Sequence, residues 1–493
     1  MRPSLSRRLT AAGALAALFL TACSGAKAPV TGADATAGSD GSADLVTDPS
    51  ATPSVDGSAS PGAVASGKAS AAASAKPGTK PGTTTATSGS TGRAPGGTSG
   101  GGSTTKSGND VVLWTGADNT KGITSSSILM CAHAALTYGA AFDTSKDDFN
   151  VYWSAVNDAG GIYGREVDVA YENDNYTPTD AITAATNCEA KNPFMLIGGI
   201  GFDQIPAVRN WAEDHKMLYL HHTATVKGSE GKKYSFTSLP TVEKLGEAFG
   251  ELALQKYKGK KIGIIHRDSV NWDPGYDAFL AYAKAKGLNI VGEAKSQNDH
   301  NHLQRVLTIK DSGAEVVWLW ENALVSTEVI TTADQQQYRP QWMLFPFNLT
   351  TQTLKDAGIK ADMLGIAAWP AYSYQDHSGP FAPYAADIKL FEQQYARYRP
   401  NAKLNGLAGD LLFLNWVGQK ALHEMFIACG KDCTRNKFAS LMHNGYKATA
   451  QGCSIDFSRN PHRGSYQFNV FDTYDSPTGR RNWRPMVTCR EHL

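Results

Sequence analysis

Residues 149–201, FNVYWSAVNDAGGIYGREVDVAYENDNYTPTDAITAATNCEAKNPFMLIGGIG, form the stretch of sequence that decides the fold. Its first apolar residues recur at helical spacing, which predicts a helix that ends at Ala159-Gly160-Gly161. Residues 165–172 then alternate between apolar and polar side chains, as a half-buried strand does. The stretch therefore begins as a helix followed by a strand.

The second half of this stretch repeats that order. Thr179 or Asp180 can cap a helix that runs to Lys191, and residues 194–197 form a short apolar strand. The glycines at 198–201 after this strand lack the spacing of a dinucleotide-binding fingerprint. Helix and strand alternate as in a βαβ unit, and in such sheets ligands bind beyond the carboxyl ends of the strands.

The phrase VNDAGGIYGREVDVAYENDNYTP at residues 156–178, followed by LIGGIG at 196–201, resembles the type I periplasmic substrate-binding proteins. More narrowly, it is similar to the branched-chain amino acid (Leu/Ile/Val)-binding branch that serves ABC importers. The resemblance extends over roughly residues 111–493. It implies an α/β fold of two lobes, each a parallel sheet flanked by helices, joined by hinge crossings near residues 235–240, 370–372 and 466–470.

The resemblance also implies how the folded part divides into lobes. Lobe I is expected at residues 110–237 and 373–455, and lobe II at residues 238–372 and 456–493. Predicted strands and helices alternate through most of both lobes, which is the pattern of parallel sheets covered by helices on both faces.

The N-terminus carries the features of an export signal. Three arginines precede an apolar run at residues 9–20, which is too short to span a bilayer. The next residues complete Leu20-Thr21-Ala22-Cys23, which matches the lipobox of bacterial lipoproteins. We interpret residues 1–23 as a lipoprotein signal peptide, and we expect an exported protein anchored by lipid on Cys23 to the outer face of the cell membrane. A plain signal peptide with a chance cysteine is the alternative.

Residues 24–109 contain no Phe, Trp or Tyr and consist mainly of Gly, Ser, Thr, Ala and Pro. Such a segment buries too little apolar surface to offset its chain entropy, so we expect a disordered linker. The formal net charge of the chain is only +1, which argues against a nucleic-acid partner. The partners that the resemblance implies are a small-molecule ligand, an ABC transporter permease and, through the lipid anchor, the membrane.

Six of the seven cysteines follow Cys23, and an even number in an exported protein suggests disulfides. Among the possible pairings we favour Cys131–Cys188, Cys429–Cys433 and Cys453–Cys489. The first would tie the opening helix of lobe I to the helix that ends at Lys191, and the second would close a tight loop. A metal site is the alternative, but the sequence has no Cys-x-x-Cys pair.

The candidate ligand-binding residues follow predicted strands, where the resemblance places the cleft. The first strand is expected at residues 111–113 and its helix at 125–138, which puts Trp114 in the first loop. The complete set is Trp114, Thr115, Gly201, Phe202, His222, Thr223, Asn271, Trp272, Trp320, Glu321 and Asn348. For each aromatic residue, ordinary core packing is the alternative. Of His221 and His222, at most one faces the cleft, because adjacent strand residues point to opposite faces.

One departure from the family bears on the ligand. In its amino-acid binders, an acidic residue after a lobe II strand pairs with the ligand ammonium. The matching position falls near Phe347 and Asn348, where no acid stands. Glu321, after a neighbouring strand, is the candidate substitute. If Glu321 does not serve, an aromatic acid, an amide or another molecule with an apolar body is a better ligand than a zwitterionic amino acid.

No catalytic, metal or cofactor motif indicates an enzyme. The chain lacks a Walker A motif, and His423-Glu424 lacks the second histidine of a zinc-binding H-E-x-x-H. We therefore expect no cofactor and no catalysis. The expected function is a solute-binding lipoprotein of an ABC importer that closes by its hinge on an amino acid, an amide or an aromatic or apolar acid. The alternatives are a ligand-sensing or scaffold lipoprotein without a transporter, and a secreted enzyme on a related scaffold.

Overall fold

The computed structural model describes residues 110–137, 145–198, 202–221, 225–297, 301–345, 363–368, 372, 382–404, 406–449, 453–475 and 481–493. These residues all belong to one compact unit, Gly97–Leu493. The predicted signal peptide, with Cys23, and the predicted linker lie outside the described residues. None of the described helices has the length and apolarity that a transbilayer span requires.

The first sheet is made of five strands: β1 (Ser127–Ala134), β2 (Glu166–Asn173), β3 (Leu196–Gly198), β4 (Tyr219–His221) and β5 (Ser235–Thr237). They are all parallel and stand in the order β2-β1-β3-β4-β5. The helices among them are α1 (Lys146–Phe149), α2 (Val151–Asp158), α3 (Pro178–Ala190), α4 (Ile205–Asp214) and α5 (Val226–Ser229). We refer to this sheet and its helices as lobe I. Because the strands are parallel, their carboxyl ends share one edge.

The start of α3 shows why this segment is helical. The hydroxyl of Thr177 accepts a hydrogen bond from the backbone N–H of Asp180 at 3.1 Å, and Pro178 occupies the first helical position. Both features stabilise a helix N-terminus, since proline lacks an N–H that would otherwise go unsatisfied there. The predicted caps, Thr179 and Asp180, lie inside the first turn instead.

The remaining strands are β6 (Lys261–Arg267), β7 (Asn289–Ser296), β8 (Val316–Trp320), β9 (Gln341–Leu344), β10 (Met363–Ala367), β11 (Lys447–Ala448), β12 (Ile455–Asp456), β13 (Phe468–Asp475) and β14 (Arg481–Arg490). β11 pairs only with β12, and the others form a sheet in the order β14-β13-β10-β9-β8-β6-β7. We refer to this larger sheet and its helices as lobe II. β13 runs antiparallel to β10 and to β14. The expected parallel sheet is present from β6 to β10, and β13 and β14 add an antiparallel edge to it; the short connection between these last two strands permits only antiparallel pairing.

Seven further helices follow β5: α6 (Val242–Tyr257), α7 (Asp273–Lys286), α8 (Leu303–Asp311), α9 (Ala323–Gln335), α10 (Ala382–Tyr398), α11 (Gly406–Cys429) and α12 (Arg435–His443), counted over the described part of the chain. α11 contacts lobe I, since the amides of Asn415 and Gln419 donate to the backbone carbonyl of Phe149 at 3.2 and 2.7 Å. The chain therefore returns to lobe I after building most of the second sheet.

The first strand differs from its prediction. Residues 111–113 form no strand, and the segment predicted as a helix at 125–138 contains β1. Residues 130–134 of β1 are all buried, because the strand lies between β2 and β3. Alanines favour a helix when the segment is considered alone, but a central parallel strand is covered on both faces and shows a continuous apolar run.

All three expected disulfides are present: Cys131–Cys188, Cys429–Cys433 and Cys453–Cys489. Since Cys131 lies in β1, the first bond ties a strand to α3 and does not join two helices. Both of its cysteines are fully buried, and they pack with Ala181 and Ala185 of α3.

The centre of lobe II is β8, with the sequence VVWLW. All five of its residues are buried. The strand stands between β9 and β6, and a continuous apolar run is typical of a parallel strand covered on both faces. Phe279 of α7 stacks on Trp318 with ring centroids 4.0 Å apart. This packing fixes the position of the residues that follow β8.

Candidate functional site

Segments that follow strands of the two lobes meet at the carboxyl edges of the sheets. Asp203, between β3 and α4, accepts a hydrogen bond from the Arg267 guanidinium at 3.0 Å and one from the Ser269 hydroxyl at 3.1 Å. The Asn271 amide donates to the backbone carbonyl of Asp203 at 2.8 Å. We call Asp203, Arg267, Ser269 and Asn271 the interlobe latch. It joins lobe I to the end of β6 in lobe II.

An aromatic contact accompanies the latch. The rings of Phe202 and Trp272 stack with centroids 5.0 Å apart and planes at 27°. Trp320, which is fully buried, donates its indole N–H to the Trp272 carbonyl at 2.8 Å. Trp272 and Trp320 are both buried in the core of lobe II, and the Phe202 ring of lobe I stacks on that core.

Glu321 is enclosed by groups of the chain itself. Its side chain is 0% exposed. The Ser296 hydroxyl and the backbone N–H of Asn322 donate to its two oxygens, and the Arg267 guanidinium lies 3.6 Å away. Burial raises the pKa of Glu321, and the charge of Arg267 opposes that rise. The chain's own Arg267 is therefore the cation beside Glu321, the residue predicted to pair with a ligand ammonium.

Trp114 and Thr115 lie away from this edge. The Trp114 indole donates to the carbonyl of Lys216 at 2.6 Å, and its ring meets that of Tyr234 edge-on. Lys216 and Tyr234 come before β4 and β5, at the amino ends of the strands. The structure therefore places Trp114 and Thr115 away from the carboxyl ends of the strands, where the cleft was expected, because residues 111–113 form no strand. Thr115 is exposed in front of a short 3-10 turn.

Gly201, His222, Thr223 and Asn348 lie outside the described residues. The neighbouring His221 ends β4 and is buried, and its ring stacks at 6.0 Å on that of His133 in β1. Gly198 of β3 stands beside His133 in register. A Cβ on Gly198 would lie 1.5 Å from Cδ2 of His221, so only glycine leaves room for both rings.

A buried polar network supports the segment before α4. His133 Nδ1 lies 2.8 Å from Asp174 Oδ2, and His133 Nε2 lies 2.8 Å from the Tyr219 hydroxyl. The Gln204 amide donates to Asp174 at 3.1 Å. Gln204 directly follows Asp203, so the network holds the lobe I side of the interlobe latch. These residues are not among the candidates from the sequence, because His133 stood in a predicted helix and only its place in β1 brings it beside Asp174.

Comparison with known proteins identifies the family. The sequence model of the periplasmic binding protein family matches residues 137–475. The chain belongs to the periplasmic binding protein family.

Curated and solved relatives of this periplasmic binding protein agree with that assignment. Leu/Ile/Val-binding protein homolog 3 of Brucella melitensis is 25% identical over 183 residues, which are 36% of this chain and 50% of that protein. The chain thus matches about half the length of this curated relative.

Two solved structures with the same fold are also similar. The fatty acid ABC transporter substrate-binding protein from Thermomonospora curvata has a TM-score of 0.61 at 17% identity, with 76% of this chain and 94% of that chain covered. An ABC transporter solute-binding protein from R. palustris, in complex with 4-hydroxybenzoate, has a TM-score of 0.61 at 16% identity, with 74% and 98% covered. Both support the two-lobed type I fold.

Two histidines of this periplasmic binding protein flank a connection between the lobes. The backbone N–H of Thr237 donates to the His462 carbonyl at 3.0 Å, so the segment at His462 runs beside β5. The His462 ring stacks on Phe236 at 4.8 Å and meets the His443 ring at 5.3 Å. Burial lowers the pKa of both histidines, and the positive charges of Arg209 and Arg463 lower that of His462 further.

One group of possible metal ligands occurs among the described residues, namely Glu247, Glu251 and His492. The Lys244 ammonium lies 3.3 Å from Glu247, and the backbone N–H of Leu493 donates to Glu251 at 2.8 Å. His492 Nδ1 lies 2.8 Å from the other Glu251 oxygen. Because cations and donors of the chain already engage both carboxylates, we interpret this group as an ion-pair cluster.

Proposed function

We propose that this protein is the extracytoplasmic solute-binding lipoprotein of an ABC importer, and that it binds a small organic ligand between its lobes. The family and the named relatives support this proposal, since they are binding proteins. The observation that carries it is the interlobe latch: Asp203 of lobe I is bound by Arg267, Ser269 and Asn271 of lobe II, at the carboxyl edges where ligands bind in such sheets.

In the proposed mechanism, the lobes open and close about the crossings. A ligand that contacts both lobes binds the closed arrangement more tightly and so shifts the equilibrium toward it. The latch residues and the Phe202–Trp272 stack would form only on closure. The permease would then recognise the closed form. We retain Gly201, His222, Thr223 and Asn348 as proposed ligand contacts, and the lobe boundaries given above as proposed boundaries.

The proposed ligand has an apolar body and carries no ammonium group that would have to pair with a carboxylate of the protein. Glu321 is enclosed and faces Arg267, so an ammonium group would have to compete with a cation of the chain. The named relatives differ in ligand: one is called a Leu/Ile/Val-binding protein homolog, one a fatty acid ABC transporter protein, and one is in complex with 4-hydroxybenzoate. Among these classes, the enclosure of Glu321 favours an aromatic or apolar acid, or an amide, over a zwitterionic amino acid.

The proposed location follows from the N-terminus. Lipid on Cys23 would hold the protein on the outer face of the membrane, and residues 24–109 would act as a tether. As a flexible coil of this length, the tether would reach on the order of 50 Å. Replacing Cys23 by Ser should release the protein from the membrane fraction. Retention of the Cys23→Ser protein in that fraction would contradict the proposed anchor.

A thermal-shift screen of the purified full chain tests the binding function. The panel comprises amino acids, amides, aromatic acids and short apolar acids. At a hundredfold excess over Kd, a ligand stabilises the folded state by about 2.7 kcal/mol, which raises Tm by a few degrees. Trp272→Ala should weaken the response to a hit, and Trp114→Ala, away from the cleft, serves as its control. A flat response across the panel would contradict the proposed function.

A further inference from the structure

A cavity with a volume of about 410 Å³ lies beside α6 and α7, apart from the interlobe latch. Its walls come from these two helices, from the start of α5 and from the segment between β12 and β13. None of the four latch residues lines it. We call it the α6–α7 cavity. Its volume falls within the range of about 300–1,000 Å³ that is typical of small-molecule sites.

The charged side chains of the α6–α7 cavity balance one another. Lys244 and Arg463 are its cations, and Glu243 and Glu247 are its acids. The Lys244 ammonium lies 3.3 Å from a Glu247 oxygen, and Glu243 accepts a hydrogen bond from the backbone N–H of Val226 at 2.8 Å. A ligand of either sign would therefore meet like charges as well as opposite ones, which favours a neutral ligand.

Three hydroxyl groups in the walls have hydrogen-bonding capacity to spare. Ser465 is only 5% exposed, and its hydroxyl forms no hydrogen bond with another described residue. Burial raises the pKa of Tyr282, so this hydroxyl keeps its proton, and it too has no partner in the described ranges. The Thr241 hydroxyl accepts from the backbone N–H of Lys244 at 3.4 Å and still has its own proton to donate.

Arg463 adds a planar set of donors to these hydroxyls. Its segment runs beside β5, where Arg463 pairs with Thr237 through the backbone. The guanidinium forms no ion pair within the part of the chain that the structure describes, and its Nε is buried there without a hydrogen-bond partner. A guanidinium carries five N–H donors and no acceptor. We therefore expect Arg463 to donate to oxygen atoms of a ligand.

The remaining walls suit the face of a small ring. Val226, Ala278 and Ala281 supply apolar surface, and Tyr282 and Tyr466 supply aromatic rings. Small-molecule sites commonly combine apolar and aromatic walls with a few placed polar groups. The α6–α7 cavity has this combination, and its polar groups are mostly hydroxyls.

We propose that the α6–α7 cavity binds a neutral ring compound with several hydroxyl groups, such as a monosaccharide. Each hydroxyl of such a ring both donates and accepts, so it can satisfy the donors of Arg463 and Ser465 and the free oxygen of Glu247 together. The C–H face of the ring lies against the apolar and aromatic wall. This site is separate from the proposed ligand contacts at the carboxyl edges, and the inference goes beyond the proposed function.

Calorimetric titration of the full chain with glucose, galactose, mannose and myo-inositol tests the ligand class. At least one of these polyols should bind with saturable heat. Cyclohexanol has the ring size of myo-inositol but only one hydroxyl, and it should bind at least roughly tenfold more weakly than the tightest polyol, because several hydrogen bonds are lost. Cyclohexanol binding as tight as that of the polyols, or no binding of any polyol, would overturn the inference.

Variants of the cavity wall test the location. Ala281→Trp places a large ring at an exposed position of the wall and should weaken polyol binding by roughly tenfold or more. Ala396→Trp, the same substitution at an exposed position of α10, is the matched control and should bind as the unaltered protein does. Tyr282→Phe and Ser465→Ala each remove one hydroxyl without adding bulk, and each should weaken binding by a few-fold, the size of one hydrogen bond.

The outcomes separate this site from the interlobe cleft. Unchanged polyol binding in both Ala281→Trp and Tyr282→Phe would place the polyol elsewhere and overturn the inference, whether or not the protein binds a solute between its lobes. Polyol binding that is lost in Trp272→Ala but retained in Ala281→Trp would assign the polyol to the interlobe cleft, and that result would also overturn it.

Discussion

The Arg267 guanidinium donates to the Asp203 carboxylate at 3.0 Å, across the two lobes, and lies 3.6 Å from the enclosed Glu321. One cation thus stands between two acids, of which Asp203 is partly exposed and Glu321 is fully buried. Removing the cation takes the positive charge away from both acids, whereas removing Asp203 leaves Arg267 beside Glu321. The two changes should therefore lower the free energy of unfolding by different amounts.

Arg267→Gln should lower the free energy of unfolding by about 3–5 kcal/mol, because it leaves a buried carboxylate uncompensated. Asp203→Asn should lower it by about 1.5–3 kcal/mol, the range of a single hydrogen bond to a charged group. Urea unfolding of both variants measures the difference. Lys295→Gln is a control near the latch, since its ion pair with Asp268 is exposed and should contribute little. An Asp203→Asn cost equal to that of Arg267→Gln would contradict this account.

Gly198→Ala should destabilise the protein by about 1–3 kcal/mol through overpacking, because the new Cβ would fall on the His221 ring. The double variant Gly198→Ala/His221→Ala isolates this clash. We expect the double variant to be more stable than the sum of the two single changes predicts. Additive costs in urea unfolding would show that the His221 ring does not restrict position 198.

The disulfides should differ in their effect on stability. Cys131 and Cys188 are 57 residues apart, whereas Cys429 and Cys433 are only 4 apart. In the chain-entropy account, replacing the first pair by alanine costs about 4 kcal/mol and replacing the second costs about 2 kcal/mol. Unfolding of the two double-alanine variants under identical conditions gives the comparison. A larger loss from the Cys429–Cys433 pair would argue against loop closure as the source of stability.

Acidification should lower the free energy of unfolding through His443 and His462. The folded-state pKa values of His443 and His462 are lowered, so the unfolded chain takes up protons first. Their contribution to stability is present above their ordinary pKa near 6.5 and is lost as pH falls from there toward the lowered values. The neighbouring charges on His462, those of Arg209 and Arg463, are positive and oppose protonation.

His462→Asn should therefore flatten the dependence of unfolding free energy on pH between about 7 and 5. Asparagine keeps an N–H donor that can reach the Ser235 carbonyl, to which His462 Nδ1 now lies at 2.9 Å. The comparison at pH 8 serves as the control for any loss of packing. An unchanged slope would show that His462 does not contribute to acid sensitivity.

Local sequence patterns predicted a helix or strand well where the residues of that element alone determine its conformation. The strand predicted at residues 165–172 and the helix predicted to end at Lys191 agree within one residue with β2 (Glu166–Asn173) and with the end of α3 (Pro178–Ala190). A strand that alternates apolar and polar residues and a helix that begins with a capping residue can each be recognised within a few residues of sequence. β1 was missed because its alanines fit a helix and only its place between β2 and β3 makes it a strand.

The site was harder to predict than the fold. The choice of Phe202, Asn271 and Trp272 needed only their positions after strands, and all three meet at the interlobe latch or its aromatic stack. The pairing of Asp203 with Arg267 joins residues that are 64 apart in sequence and on different sheets. No local sequence pattern marks such a pair.

The most direct test of the central claim is small-angle X-ray scattering of the purified full chain, without ligand and with the tightest-binding compound of the screen. Closure of the two lobes predicts a lower radius of gyration with ligand, and Arg267→Gln should shift the ligand-free protein toward the more open form. A ligand that binds tightly but leaves the radius of gyration unchanged would contradict hinge closure as the mechanism.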